Sequence, residues 1–382
     1  MSSGIGAARF EERLGRSAAA VGSAGHGALL IGQGPELEWL TGYGAIGLER
    51  LTMLVVPATG RATLVVPRLE VGAASAARGI AAGLVELVSW GETEDAVAIV
   101  ARILGPARAT SSLLVSDGLR AAFLLRLQAA LPAARFSIAS SVMSPLRQVK
   151  DADEVELLRL AAAAADRTVE AMVRGRLIGR TEADLAREVQ ERLVAEGHDV
   201  ASFWIVASGP NSASPHHDVS DRVVRAGEPL LFDIGGRRAG YCSDITRTIW
   251  VAGAAGQGPD DAYIRLHGLV EESQAAGRAA IRPGIALQDL DRASRAIIDA
   301  AGHGEDFFHR LGHGIGLEGH EDPYLVEGNT ATLVAGHAFS IEPGIYLEGR
   351  YGARIEDIAV CTPDGGETLN QVERTLITVT GE

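Results

Sequence analysis

An α/β (α+β) protein of two domains is predicted, a smaller α/β unit over residues 1–146 and a larger mixed unit over 147–382. Three observations predict it. The chain has 382 residues, more than one core of ordinary size encloses. Short β-branched runs alternate with helical stretches up to a break at Ser144-Pro145. Beyond that break, long helical patterns alternate with glycine-rich β segments, and apolar runs lead directly into acidic residues.

In the first region, residues 28–31 (ALLI), 51–57 (LTMLVVP) and 61–67 (RATLVVP) read as strands, the last two as a hairpin about Thr59-Gly60. Helical stretches near 70–82, 93–104 and 118–131 alternate with strands near 84–89, 112–115 and 135–138. Gly32-Gln33-Gly34 reads as a plain turn, because a phosphate loop needs a third glycine and a following helix. No cluster of reactive side chains occurs in this region.

The second region opens on a long helix from Asp151. Val155, Leu158, Ala162, Ala165, Val169 and Met172 recur at three- and four-residue steps and mark its apolar face, and Gly175 ends it. Thr181 and Asp184 have the spacing of a capping box for a second helix, with Leu185, Val189 and Leu193 on one face and Gly197 after it. Two further helices fall near 259–280 and 286–301, parted by Arg282-Pro283-Gly284.

Charge and cysteine content narrow the function. Lys and Arg number 35 against 49 Asp and Glu, a net −14 that argues against nucleic acid and anionic membrane as partners. Two distant cysteines, Cys242 and Cys361, fit reduced thiols in the cytoplasm. The N-terminal stretch lacks an apolar signal-type core, and no run reaches about 18 apolar residues, so neither a signal peptide nor a membrane span is expected.

Chemistry concentrates in four segments. In PLLFDIGGRRAGYCSDITRTIWV, Leu230 to Phe232 feed a strand with Asp233 at its end, Gly235-Gly236 form a turn, and Asp244 lies on the return strand. Antiparallel neighbours sit about 5 Å apart, so the two acids are close enough to share a metal pair. A carboxylate after a buried apolar run is costly unless paired or metal-bound. Taken singly, each also reads as an ordinary turn or strand aspartate. FFHRLGHGIGLEGHEDPY holds His309, His313 and His320. Gly312, Gly314 and Gly316 imply a backbone packed tightly against a neighbour, not a helix with an HExxH-type zinc site. In AFSIEPGIYLEGRYGARIEDIAV, Ala338 to Ile341 form a strand leading to Glu342, and Pro343-Gly344 turns the chain. A hairpin about Gly349 returns Arg354 and Glu356 on one face, with Ile355 and Asp357 on the other. Arg354 is thereby placed to orient a neighbouring carboxylate. ASGPNSASPHHDVSDRVV presents His216 and His217 on a polar loop suited to a site's lip. Asp233, Asp244, His313, Glu342 and Glu356 together are candidate ligands for two divalent ions, since they supply up to four negative charges.

PHHDVSDRVVRAGEPLLFDIGGRRAGYCSDITRT, HRLGHGIGLEGHEDPY, SIEPGIYL and GARIEDIAV resemble the pita-bread metallopeptidases, and within them the branch of Xaa-Pro aminopeptidases and prolidases that includes creatinase. The resemblance spans 151–382 and covers the order, spacing and local sequence of all five ligand positions. The first region resembles that branch's creatinase-type N-domain through weaker motifs. The resemblance implies a pita-bread catalytic domain and a homodimer acting on proline-containing peptides. The reaction implied is hydrolysis of an Xaa-Pro bond, at a peptide's N-terminus or in a dipeptide, by a metal-bridged hydroxide. Asp233 resembles a ligand of one metal, Asp244 and Glu356 the bridging carboxylates, and His313 the imidazole ligand. Glu342 resembles the ligand that also handles the water's proton. His216 and His320 match substrate-site histidines that donate to the carbonyl oxygen, and His309 a histidine on the proline side. Arg354 matches the arginine behind the ligands, and His217 has no counterpart role. Oxygen-rich ligation favours Mn²⁺, with Co²⁺ and Zn²⁺ as alternatives. In this branch the N-terminal domain caps the site and contributes to dimerisation, so Trp39 and Tyr43 are candidates for a lip, although Trp39 reads at least as well as a core aromatic beside a strand.

Three alternatives stay open. Dipeptidase and aminopeptidase differ in whether a cation holds a free carboxylate after proline. HEDPYLV has no basic residue near Tyr324 in sequence, which favours the open site of an aminopeptidase. A creatinase-like or ectoine-hydrolase-like C–N hydrolase is the second, and the complete ligand set weighs against the former. A non-catalytic binding module is the third, and clustered unpaired carboxylates weigh against it.

Overall fold

The computed structural model describes residues 4–252 and 256–381. The chain divides into two compact units, Met1–Arg147 and Gln148–Glu382.

The first unit is built on a six-stranded sheet in the order β4-β3-β2-β1-β5-β6. Its strands are β1 (Ala28–Ile31), β2 (Met53–Pro57), β3 (Thr63–Pro67), β4 (Glu86–Trp90), β5 (Ser112–Val115) and β6 (Arg135–Ile138). β2 and β3 form the expected hairpin, with Leu54 opposite Leu64. Helices α5 (Ala96–Arg108) and α6 (Ala121–Ala130) bury Val97, Val100, Phe123 and Leu127 against Leu30, Val55 and Leu113 of the sheet. Two helices escape the apolar pattern. α1 (Ala7–Ser23) buries Phe10, Arg13, Ser17 and Val21, so half of its inward stripe is polar and hides the helical period. α2 (Pro35–Thr41) begins directly after Gly34 with proline in its first turn, so the glycine turn does lead into a helix. The stretch expected as one helix over 70–82 divides into α3 (Val71–Ala76) and α4 (Arg78–Ala81), because Ala77 is extended. α7 (Ser140–Gln148) runs through Pro145, forgoing one hydrogen bond rather than breaking there. Trp39 lies beneath the Arg13 guanidinium at 4.8 Å and Tyr43 bonds Glu70 at 3.3 Å. Both are buried, so neither is the rim residue expected of a lip.

Among the described residues the second unit holds two five-stranded sheets, each with its own helix pair, and a two-stranded hairpin. α8 (Ala152–Val173) starts at a capping box between Asp151 and Glu154, and α9 (Glu182–Ala195) at one between Thr181 and Asp184. Ala165, Val169, Leu185, Val189 and Leu193 pack with Phe232, Ile234, Ile245 and Ile249. Those last residues belong to a sheet ordered β18-β10-β8-β7, with β9 on β8: β7 (Val200–Ser208), β8 (Glu228–Arg238), β9 (Tyr241–Cys242), β10 (Ile245–Val251) and β18 (Thr378–Val379). α10 (Asp261–Ala280) and α11 (Leu287–Ala300) bury Val270, Leu290 and Ile298 against Phe339, Ile341 and Ala359. Their sheet is ordered β12-β11-β13-β16-β17: β11 (Gly312–Gly314), β12 (Glu321–Leu325), β13 (Ala338–Ile341), β16 (Asp357–Thr362) and β17 (Gly365–Thr368). A hairpin of β14 (Gly344–Leu347) and β15 (Tyr351–Arg354) precedes β16. The two layers are stitched where Thr246 of β10 bridges Glu356.

One hairpin differs from its expected form. β8 continues through Asp233 and through Gly235-Gly236, and the turn falls at Ala239 and Gly240, whose φ values are 48° and 89°. Asp233 is therefore a mid-strand residue opposite Thr246, and Asp244 immediately precedes β10 rather than lying on it. The glycines serve close approach instead of turning. A Cβ on Gly235 would lie 2.2 Å from the Ser243 carbonyl oxygen and 2.3 Å from the Phe203 ring. Among the described residues no helix is long and apolar enough to cross a membrane. Gly235→Ala should cost about 1–3 kcal/mol or more through overpacking, read as a lowered urea midpoint; an unchanged midpoint would contradict the close packing.

Candidate metal centre

The five residues singled out by sequence converge in the second unit. Oxygen and nitrogen atoms of Asp233, Asp244 and Glu356 lie within 4.8 Å of one another, as do those of His313, Glu342 and Glu356. His313 Nε2 is 3.3 Å from a Glu342 oxygen and 3.6 Å from an Asp244 oxygen. His313 Nδ1 faces the Gly314 carbonyl at 3.1 Å, which requires the proton on Nδ1 and leaves a lone pair on Nε2 pointing at carboxylates. His320 stacks on His313 with ring centroids 3.8 Å apart, and it also comes within metal-ligand reach of Asp244 and His313.

Local packing explains why these positions are held. β11 threads between β12 and β13. A Cβ on Gly312 would sit 2.0 Å from the Ser340 carbonyl oxygen, and one on Gly314 2.2 Å from that of Asp322. The glycines beside His313 are thus required by close backbone approach, as expected from their spacing. Ser340 donates its hydroxyl to Glu342 at 3.0 Å. Arg354 donates to Asp233 at 2.5 Å, to the Tyr346 hydroxyl at 2.8 Å, to Thr246 Oγ1 at 3.1 Å and to the Pro215 carbonyl at 3.3 Å. Thr246 in turn donates to Glu356 at 2.7 Å. Arg354 and Glu356 therefore share a face, and Asp357 points the other way into Arg247 and Gln274, each at 2.7 Å.

The electrostatics follow from burial. It pushes the Asp244 and Glu356 carboxyls well above the carboxylate range, helped by their acidic neighbours, and Glu342 up to about 7. Burial, then the His320 ring, lowers His313 to about 3, so it is a neutral ligand-type imidazole. Two buried oxygens, Asp233 Oδ1 and Glu356 Oε1, have no hydrogen-bond partner. Acceptors without donors, grouped within 4.8 Å and rich in oxygen, fit one or more hard divalent cations.

The flanking histidines divide into two kinds. His216 and His320 are exposed and line a cleft of about 480 Å³ beside the acids, with Phe203, Ile205, Phe308 and Arg310. His309 also lines it, but its nitrogens are engaged by the Arg310 carbonyl at 2.8 Å and by Tyr346 at 3.0 Å, and burial lowers it to about 4. His217 turns away and bonds Glu182 at 2.8 Å. That buried carboxylate also takes Ser208, Asn211 and Ser220, so it ties down the loop that carries His216.

Sequence reading missed Tyr346 and Thr246, neutral residues with no spacing signal of their own. It also missed Lys150, whose ammonium lies buried at 2.5 Å from Glu321, next to His320. A signal was present, since Lys150 is the single lysine of the chain beside 34 arginines. Tyr324 does have a basic neighbour: pairing of β11 with β12 brings the Arg310 guanidinium to 4.2 Å from its ring centre.

The chain belongs to metallopeptidase family M24, whose model matches residues 156–363, and residues 13–149 match the creatinase/prolidase N-terminal domain. Family membership implies divalent metal ions and the pita-bread fold for the catalytic domain. The chain is 43% identical over 382 residues to a probable dipeptidase PepE of Mycobacterium tuberculosis, covering 98% of this chain and 99% of that one. The crystal structure of dipeptidase PepE from Mycobacterium ulcerans matches with a TM-score of 0.92 at 41% identity, covering 99% and 100% of the two chains. A recombinant prolidase from Thermococcus sibiricus matches at 0.89 and 34% identity, over 97% and 99%.

Two predictions follow from the charges. A carboxyl whose folded pKa is raised contributes stability below its ordinary value, and that contribution is lost as pH rises through the folded pKa. The chelated protein should therefore lose stability between about pH 5 and about pH 8, as Glu342, raised to about 7, ionises beside its neighbours. Bound cations reverse the effect, so the calorimetric Tm gap between loaded and chelated protein should widen with pH; a constant gap would refute it. Lys150→Met removes the ammonium paired with the buried Glu321 and should cost about 3–5 kcal/mol, while adding Glu321→Leu should restore most of it. Denaturant melts of both variants check this.

Proposed function

We propose that this protein is a two-metal exopeptidase that hydrolyses the bond between an N-terminal residue and proline. The observation that carries the proposal is the convergence of Asp233, Asp244, His313, Glu342 and Glu356, with Asp233 Oδ1 and Glu356 Oε1 buried without a donor, beside a cleft lined by His216 and His320. The 34% identity to a prolidase supports the proline preference. The five residues would hold two divalent ions, and oxygen-rich ligation favours Mn²⁺. When bound, such ions supply Lewis-acid polarisation of a carbonyl and bring water's pKa towards neutrality.

The chain's own groups have separable tasks. Glu342, half-buried at the cleft, takes a proton from the attacking water and returns it to the proline nitrogen as the bond breaks. His216 and His320 donate hydrogen bonds to the carbonyl oxygen as it gains negative charge. His309 is a positioning residue, because its nitrogens are committed to Arg310 and Tyr346. With Phe308, and backed by the buried Tyr346, it forms an aromatic wall against which a proline ring packs. Arg354 fixes Asp233 and, through Thr246, Glu356. Two buried cysteines, neither in a disulfide, support a reducing, cytoplasmic setting.

Glu342→Ala should lower kcat on an Xaa-Pro dipeptide by about 10²–10⁴-fold. The assay uses the Mn²⁺-loaded protein, with a chelated control that should be inactive. Near-wild-type turnover by the variant would remove the role given to Glu342.

A further inference from the structure

His217 has no part in the reaction described above, yet its ring is firmly placed. Its Nε2 lies 2.8 Å from Glu182, a carboxylate with no exposed surface on the first residue of α9. Glu182 also accepts from Ser208 N, Ser208 Oγ and Asn211 Nδ2 at 2.8, 2.7 and 2.9 Å on one oxygen. Ser220 Oγ and N reach the other oxygen at 2.6 and 3.2 Å. Burial raises the pKa of this carboxyl, but the bonds from Ser220, Ser208, His217 and Asn211 outweigh burial and hold it below the ordinary value. An ionised carboxylate only accepts, so His217 Nε2 carries the proton.

These bonds gather the segment from Ser208 to Ser220 around one carboxylate. His216 stands on the outer side of that segment, exposed in the cleft. No hydrogen bond to another described residue holds the His216 ring, so its direction is set by the residues on either side. Before it, the Pro215 carbonyl accepts from Arg354 at 3.3 Å, which is long for such a bond. After it, His217 is clamped on Glu182 by a bond that is short and assisted by charge. The firmer anchor of His216 is therefore its own neighbour in sequence.

We propose that His217 is a positioning residue: clamped on Glu182, it aims the His216 ring at the substrate carbonyl, and it affects the reaction through His216 alone. The inference rests on the reading above that His216 donates to that oxygen. It adds the group that makes the donation productive.

The test is a double-mutant cycle on the Mn²⁺-loaded full chain with an Xaa-Pro dipeptide. His217→Ala leaves Glu182 its other donors, so the segment loses one bond and the fold persists. A donor displaced from the carbonyl oxygen is missed mainly in the transition state, so His217→Ala should lower kcat about 10-fold and leave KM within about 2-fold. His216→Ala should lower kcat about 10²-fold. The double variant should match His216→Ala within about 2-fold, because the second change has nothing left to act through. His217→Gln, whose amide donates to the same carboxylate, should recover most of the loss. Mn²⁺ affinity by titration calorimetry should be the same in His217→Ala and wild type. Full kcat in His217→Ala, losses that multiply in the double variant, or weakened Mn²⁺ affinity overturns the inference while leaving Xaa-Pro hydrolysis standing. Full turnover by His216→Ala removes the role of His216 and the inference with it. No cleavage by the wild-type chain overturns the Xaa-Pro reading as well.

Discussion

A surplus of acceptors in one buried place governs the catalytic unit. Four carboxylates and an imidazole lone pair meet where its two sheets join, and Arg354 is the cation bonded directly to one of the ligands. Such a group is costly to bury unless cations or protons neutralise it. Metal affinity and folding stability are therefore coupled here, since ions that bind the assembled cluster stabilise the fold that assembles it. The remainder of the unit is arranged to keep these acceptors from relaxing apart. Thr246 accepts from Arg354, donates to Glu356 and receives the Glu356 backbone N–H at 3.1 Å. Behind Glu356, Arg247 donates to its carbonyl at 2.7 Å and pairs with the fully buried Asp357.

The ligand positions were legible because each constraint on them is local. A carboxylate that follows an apolar strand must answer for its burial, as Glu342 does after Ala338–Ile341. Glycines around His313 report a backbone neighbour whatever that neighbour is. Capping boxes at Asp151 and Thr181 mark helix starts within four residues. The errors share a different origin. Gly235-Gly236 carry the chemistry of a turn, but the place of Gly235 in β8 is set by Phe203 of β7 and by Ser243, between β9 and β10. α1 escaped because the unit buries Arg13 and Ser17 along its inward stripe. Tyr346 and Thr246 are ordinary strand residues until the hairpin β14–β15 and the bridge to β10 give them Arg354 as a partner.

The histidines show how position in a network assigns chemistry to identical side chains. His313 and His309 each direct Nδ1 at a backbone carbonyl, which fixes the tautomer and aims Nε2 at a chosen target. For His313 the target is a cluster of carboxylates that only a cation can join to it. For His309 it is the Tyr346 hydroxyl, which accepts from Arg354 and donates back to His309. His217 is consumed by Glu182 and serves the loop's shape. His216 and His320 remain at the cleft surface, the two with a ring edge free for substrate. Adjacent histidines in sequence thus acquire opposite fates from one buried glutamate.

Lys150 carries the same logic to composition. In a chain whose other 34 basic side chains are arginine, the position that keeps lysine has a reason to exclude a guanidinium. The structure supplies one. The ammonium is enclosed with Glu321, and a Cβ on Gly316 would already come within 3.0 Å of Lys150 Cε and 2.7 Å of the Glu321 carboxylate. A compact, point-like cation fits that space, and the planar fork of arginine does not. The pair pins the segment that returns from Gly316 to His320, setting the ring that stacks on the metal-centre imidazole. A single departure from a chain's own habit can therefore mark a constrained site before any contact is known.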